Sequence, residues 1–125
     1  MSPKPYFELA GFDQVYFEDS FVTGVIETGT ELSFLLDLVL REGHPRYSPP
    51  KPGEQYCYRQ AKLMFAQPTL VCWEKRGFQP TTDANGEVDY GNIDAMQLVD
   101  DGSYRLEGNW GVALIVSAPP SIIFL

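Results

Sequence analysis

The chain is expected to be all-β, an antiparallel sandwich or barrel of six to eight short strands with room for one short helix. Three observations point there. Short segments rich in β-branched and aromatic residues recur through the 125 residues, and turn signals bound most of them. Ten prolines and eleven glycines interrupt the chain too often for long helices. The composition is 44% hydrophobic and 14% aromatic, enough for a packed core. A chain of this length is expected to be a single domain, 1–125, burying roughly two-thirds of its unfolded surface.

The elements follow in order. Tyr6–Phe17 supplies early core through Phe7, Leu9, Phe12, Val15 and Phe17. Glu18-Asp19-Ser20 reads as a solvated turn leading into a strand at Phe21–Ile26, and Thr28-Gly29-Thr30 turns the chain again. Leu32–Arg41 fits two templates equally. A period of two makes Leu32, Phe34, Leu36, Leu38 and Leu40 one face, whereas a helical period aligns Leu32, Leu35, Leu36, Val39 and Leu40. The tight turn before it favours a hairpin with the preceding strand, so we assign a strand.

A proline- and tyrosine-rich stretch, Gly43–Tyr56, precedes an alternating strand over 56–65. Gln67-Pro68-Thr69 breaks that strand, and Leu70–Glu74 resumes it. Gly77–Asn92 is a long polar loop centred on Asn85-Gly86. Ile93–Val99, Tyr104–Glu107 and Trp110–Val116 form a meander, the last apolar on nearly both faces, as in a doubly covered strand. Pro119-Pro120 breaks the chain before Ser121–Leu125, a closing strand expected to pair in the sheet.

Charge is unevenly placed. Positions 1–40 hold one Lys and seven acids, net −6; positions 41–76 hold seven Lys or Arg and three acids, net +4; positions 77–125 hold one Arg and seven acids, net −6. The total of −8 disfavours nucleic acid and anionic membrane as partners, because both are repelled at long range. No apolar run approaches the roughly 20 residues that span a bilayer. The first residues have no apolar signal core, and two cysteines make no disulfide framework. The expectation is a cytoplasmic protein with reduced thiols.

The cationic stretch carries the candidate binding residues His44, Arg46, Tyr47, Lys51, Tyr56, Tyr58 and Arg59. Pro49-Pro50-Lys51-Pro52 favours stiff polyproline geometry, the tyrosines add rigid contact area, and the cations add charge. The plainer reading is a stiff connection between two strands. His44 beside Cys57 or Cys72 lacks the third orienting group and oxyanion site that nucleophilic catalysis needs, so no catalytic residue is assigned. If the strands around Gln67-Pro68 form a hairpin, facing positions sum to about 135, which keeps Cys57 and Cys72 apart. Asp83–Asp89 has alternating oxygens but the wrong spacing for a calcium loop, and no His/Cys cluster suits zinc. No metal or cofactor is expected. Glu18 and Asp19, adjacent on an extended chain, should point apart and not converge as an acid–base pair.

Glu18–Val22 with the apolar run Leu32–Leu40 and His44-Pro45, together with Tyr104–Gly111 leading into a closing strand, resembles small bacterial proteins that recur near toxin systems, some of them taken to be immunity proteins. The resemblance implies a non-enzymatic protein that binds another protein, and it assigns no functional residue. The acidic charge fits an inhibitor of a basic toxin domain, since charge steering speeds such association. The alternative is a ligand-binding or enzymatic β-barrel whose mouth is bordered by His44, Tyr47, Tyr56, Tyr58 and Arg59. A structural subunit with an exposed apolar face is a third reading.

Overall fold

A computed structural model describes residues 4–76, 81–82, 88–89, 91–100 and 102–125. The strands are β1 (Lys4–Pro5), β2 (Val15–Glu27), β3 (Glu31–Leu40), β4 (Cys57–Ala66), β5 (Leu70–Arg76), β6 (Thr81–Thr82), β7 (Val88–Asp89), β8 (Ile93–Asp100), β9 (Ser103–Gly108), β10 (Gly111–Val116) and β11 (Ser121–Phe124). The only helical piece among the described residues is a single 3-10 turn at Tyr6–Glu8. Two antiparallel sheets form a sandwich, one ordered β1-β8-β9-β10-β5 and the other β11-β4-β3-β2; β6 and β7 pair separately. The all-β expectation holds, and the sandwich is the form it takes.

The inner faces follow from the period-two pattern. Cys57, Ala61, Leu63 and Phe65 of β4 are buried, with Leu32, Phe34, Leu36, Leu38 and Leu40 of β3 beside them. The opposing sheet contributes Ile93, Met96, Tyr104, Leu106, Ala113 and Ile115. Aromatic rings lock the layers together. Phe34 lies 4.9 Å from Trp110, and Phe65 lies 5.7 Å from Tyr104. The Trp110 indole N–H donates to the Asn92 carbonyl at 3.0 Å, so this fully buried ring leaves no donor unpaired. Gly108 is required beside it, because a Cβ there meets the Asn92 carbonyl and the Trp110 ring.

The ambiguous segment 32–41 is a strand. It is central, paired with β2 on one side and β4 on the other. Burial of Ser33 and Val39 as well as the leucine row explains why both periodicities fitted.

Four local expectations are corrected. Glu18-Asp19-Ser20 is not a turn but part of β2, which runs unbroken over thirteen residues. The register jumps there, from Tyr16 opposite Val39 to Phe21 opposite Asp37. The Ser20 hydroxyl donates to the Tyr16 carbonyl and accepts from the Val39 amide, satisfying backbone groups that the bulge leaves without a ladder partner.

The strands flanking Gln67-Pro68 do not form a hairpin. Gln67 takes a left-handed φ of 46°, its amide bonds Thr30, and the Thr69 amide bonds Val116. The chain thus crosses from one sheet to the other, and Cys72 faces Leu114. Cys57 is a buried free thiol and Cys72 an exposed one, so the expected separation stands on different geometry.

The third correction concerns β10. It alternates buried and half-buried positions between β9 and the edge strand β5, covered on one face only. The last concerns the polar loop: Thr81–Thr82 pairs with Val88–Asp89 within it, while Asn85-Gly86 and most of Asp83–Asp89 lie outside the described residues. The closing strand does pair, β11 against β4.

Candidate functional site: an aromatic and acidic face on the four-stranded sheet

The candidate residues separate onto the two sides of β4. Arg59 lies on the side of Cys57 and Ala61; Tyr58 lies on the outer side with Gln60 and Lys62.

On the inner side, the loop folds over the end of β11. The His44 ring meets Phe124 edge-on at 5.4 Å, and the Arg46 guanidinium lies 4.6 Å from the centre of the same ring. The Arg46 amide donates to His44 Nδ1 at 3.0 Å, so Nδ1 is an acceptor and the neutral tautomer carries its proton on Nε2. Burial, then the Arg46 charge, lowers the His44 pKa below the ordinary 6.5, with Asp13 opposing. Arg59 donates to the Ser48 hydroxyl at 2.6 Å and to the Tyr58 carbonyl at 3.0 Å. The Cys57 thiol accepts from the Ser48 amide at 3.5 Å. No hydrogen bond joins either thiol to His44 among the described residues. These groups shape the loop.

Tyr47 is half-buried against the core, and Lys51 is exposed in a turn closed by the Glu54 amide on the Lys51 carbonyl.

The outer side gathers a different set. Tyr58 stacks on Phe21, centroids 6.0 Å apart and planes 26° from parallel, and meets Tyr56 edge-on at 6.2 Å. Tyr16 and Tyr58 flank Val39 in register, and the Arg41 guanidinium sits 4.7 Å above the Tyr16 ring. The bulge in β2 turns Glu18 and Asp19 apart, as expected for neighbours on an extended chain. Glu18 accepts from the Tyr6 hydroxyl at 2.5 Å, while the Asp19 carboxylate sits against the Tyr56 hydroxyl and raises its pKa. Burial raises the Tyr58 pKa, helped by the charges of Asp19, Glu54 and Asp37. Carboxylates thus stand beside the Tyr56 and Tyr58 rings, and the Arg41 cation stands over Tyr16.

Beside the cluster lies an open groove of about 380 Å³, walled by Tyr16, Arg41, Glu42, Tyr47, Gln55 and Tyr56. Further along the same face, Thr23, Leu35, Asp37, Gln60 and Leu125 line a second depression of about 410 Å³.

Tyr47, Tyr56 and Tyr58 were thus named from sequence; Tyr16, Asp19, Phe21, Asp37 and Arg41 were not. The signal available for them was weak, an aromatic residue on either side of an acidic pair. Their gathering depends on a register that the bulge sets. Of the proposed barrel mouth, only Tyr47 and Tyr56 border the groove.

Among the described residues, no three His, Cys, Asp or Glu side chains converge as a metal site, and no helix is long and apolar enough to cross a membrane. No family model matches the chain, and neither the curated proteins nor the solved structures contain a significant match to it.

Proposed function

We propose that this chain is a non-catalytic binding protein for a basic protein partner, an inhibitor of the immunity type acting in the cytoplasm. We place the docking surface on the outer face around Tyr16, Phe21, Tyr56 and Tyr58. The observation that carries this reading is the combination of stacked aromatic rings with Asp19, Asp37 and Glu54 around them. Aromatic faces and carboxylates both attract Lys and Arg side chains, and aromatic anchors dominate the energy of protein interfaces. The net charge of −8 adds long-range steering towards such a partner.

The test is affinity capture from source cells with the wild-type chain and a Tyr58→Ala/Asp19→Asn variant. The wild type should retain a basic protein that elutes as salt rises. Loss of the Tyr58 anchor should cost about 2 kcal/mol, roughly thirty-fold in Kd. Equal retention by the variant would remove this face as the site. A second reading, a small-molecule site, is favoured by the groove beside Tyr47 and Tyr56, whose volume falls within the range of ligand pockets. A thermal shift with a small-molecule library that persists in the Tyr58→Ala variant would select it.

A further inference from the structure

The edges of the two sheets are not alike. A bare sheet edge offers unpaired backbone donors and acceptors, and proteins blunt such edges with charges, prolines, bulges or covering chain. The β1 edge is two residues long and consists of a lysine and a proline. The β2 edge is bulged, and residues 91–92 cover it: the Val22 amide donates to the Gly91 carbonyl, and the Asn92 side chain donates to the Glu18 carbonyl. The β5 edge carries Glu74, and its ladder with β10 is irregular at Val112 and Ala113.

On β11 the loop lays His44 and Arg46 against the Phe124 ring on the inner side, but no charge, proline or bulge lies within the strand itself. Ser121-Ile122-Ile123-Phe124 is uncharged, proline-free and paired in regular register, with β4 its only strand partner among the described residues. Ile123 is 37% exposed and the adjacent Leu125 is 72% exposed.

The hydrogen-bond phase shows what the edge offers. The Leu125 amide donates to the Gln60 carbonyl, so Leu125, Ile123 and Ser121 are the residues bonded to β4. In an antiparallel ladder the intervening residues turn their N–H and C=O groups the other way. Ile122 and Phe124 therefore present their backbone groups outwards.

From this we infer that β11 is the interface of a homodimer. Two copies pair their β11 strands antiparallel about a two-fold axis at Ile123, with Ile122 of one copy opposite Phe124 of the other. The occupant is a second copy because the edge is complementary to itself. Each outward Ile122 exchanges both backbone bonds with a Phe124 that is equally outward, and Ile123 packs on its own equivalent. No charge within the strand opposes the contact. The two four-stranded sheets become one, and the axis, perpendicular to that sheet, puts both outer faces on the same side.

Sedimentation velocity on the full chain tests this with three proteins. Wild type should sediment as a dimer, twice 14.1 kDa. Ile123→Lys sets two cations against each other across the axis and should weaken dimerisation roughly a hundredfold. Ile122→Pro removes only an outward N–H, which an edge strand tolerates, and should also be monomeric. Should Ile122→Pro fail to fold, Ile123→Lys decides alone, since its side chain sits on an exposed face. A wild type that stays monomeric at all concentrations overturns the inference, as does an Ile123→Lys protein that remains dimeric. Added salt should strengthen the dimer by screening −8 against −8, whereas it should weaken capture of a basic partner. The two readings therefore fail separately.

Discussion

The two faces of β4 carry neighbouring residues to opposite fates. On the inner face, Leu63 and Phe65 are completely buried among both sheets. On the outer face, Tyr58, Lys62 and Met64 are half-exposed. The inner side chains are interchangeable in chemistry but not in shape, because they are close-packed against the rings of the opposing sheet. The outer ones differ in chemistry and have room. Stability thus resides on one side of the strand, which leaves the other side available for recognition.

The largest test of that division compares adjacent residues. Phe65→Ala should lower unfolding stability by about 3–5 kcal/mol, through lost burial and the cavity beside Tyr104. Met64→Ala should cost about 1 kcal/mol or less. Urea denaturation measures both, and equal losses would mean the outer face is structural as well.

A smaller effect separates the diverging acids of β2. Tyr6→Phe removes the hydrogen bond from a buried ring to the half-buried Glu18 and should cost about 1–3 kcal/mol. Tyr56→Phe, at the partly exposed Asp19 and without a buried ring behind it, should move the urea midpoint much less. The pH profile distinguishes them further. Burial and the Glu18 hydrogen bond raise the Tyr6 pKa well above 10.0, so the unfolded chain ionises first. That contribution is complete below pH 10.0 and is lost as pH rises further. Melting temperatures across this range should fall in wild type and fall less steeply in Tyr6→Phe, where the raised pKa values of Tyr56, Tyr58 and Tyr104 still contribute.

The smallest effect belongs to the ion pair of Lys62 and Glu31, 3.1 Å apart on the outer face. Hydrogen bonds from Ser33 and then Lys62 lower the Glu31 pKa below 4.5. Its stabilisation is present above pH 4.5 and disappears as pH falls through the lowered value. Glu31→Gln should barely move the urea midpoint at neutral pH, as expected of a solvent-screened pair. A large loss there would place structural weight on the face assigned to binding.

The sequence made individual strands legible and left their neighbours obscure. Alternation in 56–65 and the β-branched run at Phe21–Ile26 are local signals, and they held. The failures lie where distant backbone groups decide. Nothing around Gln67-Pro68 announces that its amides bond Thr30 and Val116 and not each other's strands. The Ser20 hydroxyl that keeps β2 continuous does so by reaching Val39, nineteen positions away. The site was half-legible for the same reason. Tyr56 and Tyr58 stand out by composition, but Phe21 and Asp19 join them only once the bulge has shifted the register.

The crossing at Gln67 has a consequence for how the molecule assembles. β2–β3–β4 and β8–β9–β10 are each built from consecutive hairpins. Each set then receives an outer strand from the far end of the other: β5 follows β4 but completes the sheet of β10, and β11 follows β10 but completes the sheet of β4. Each layer therefore takes an outer strand from the segment that follows the other layer's meander. We expect the two meanders to collapse early and the exchanged strands to dock late, with folding in the slow millisecond-to-second range of domains dominated by non-local pairing.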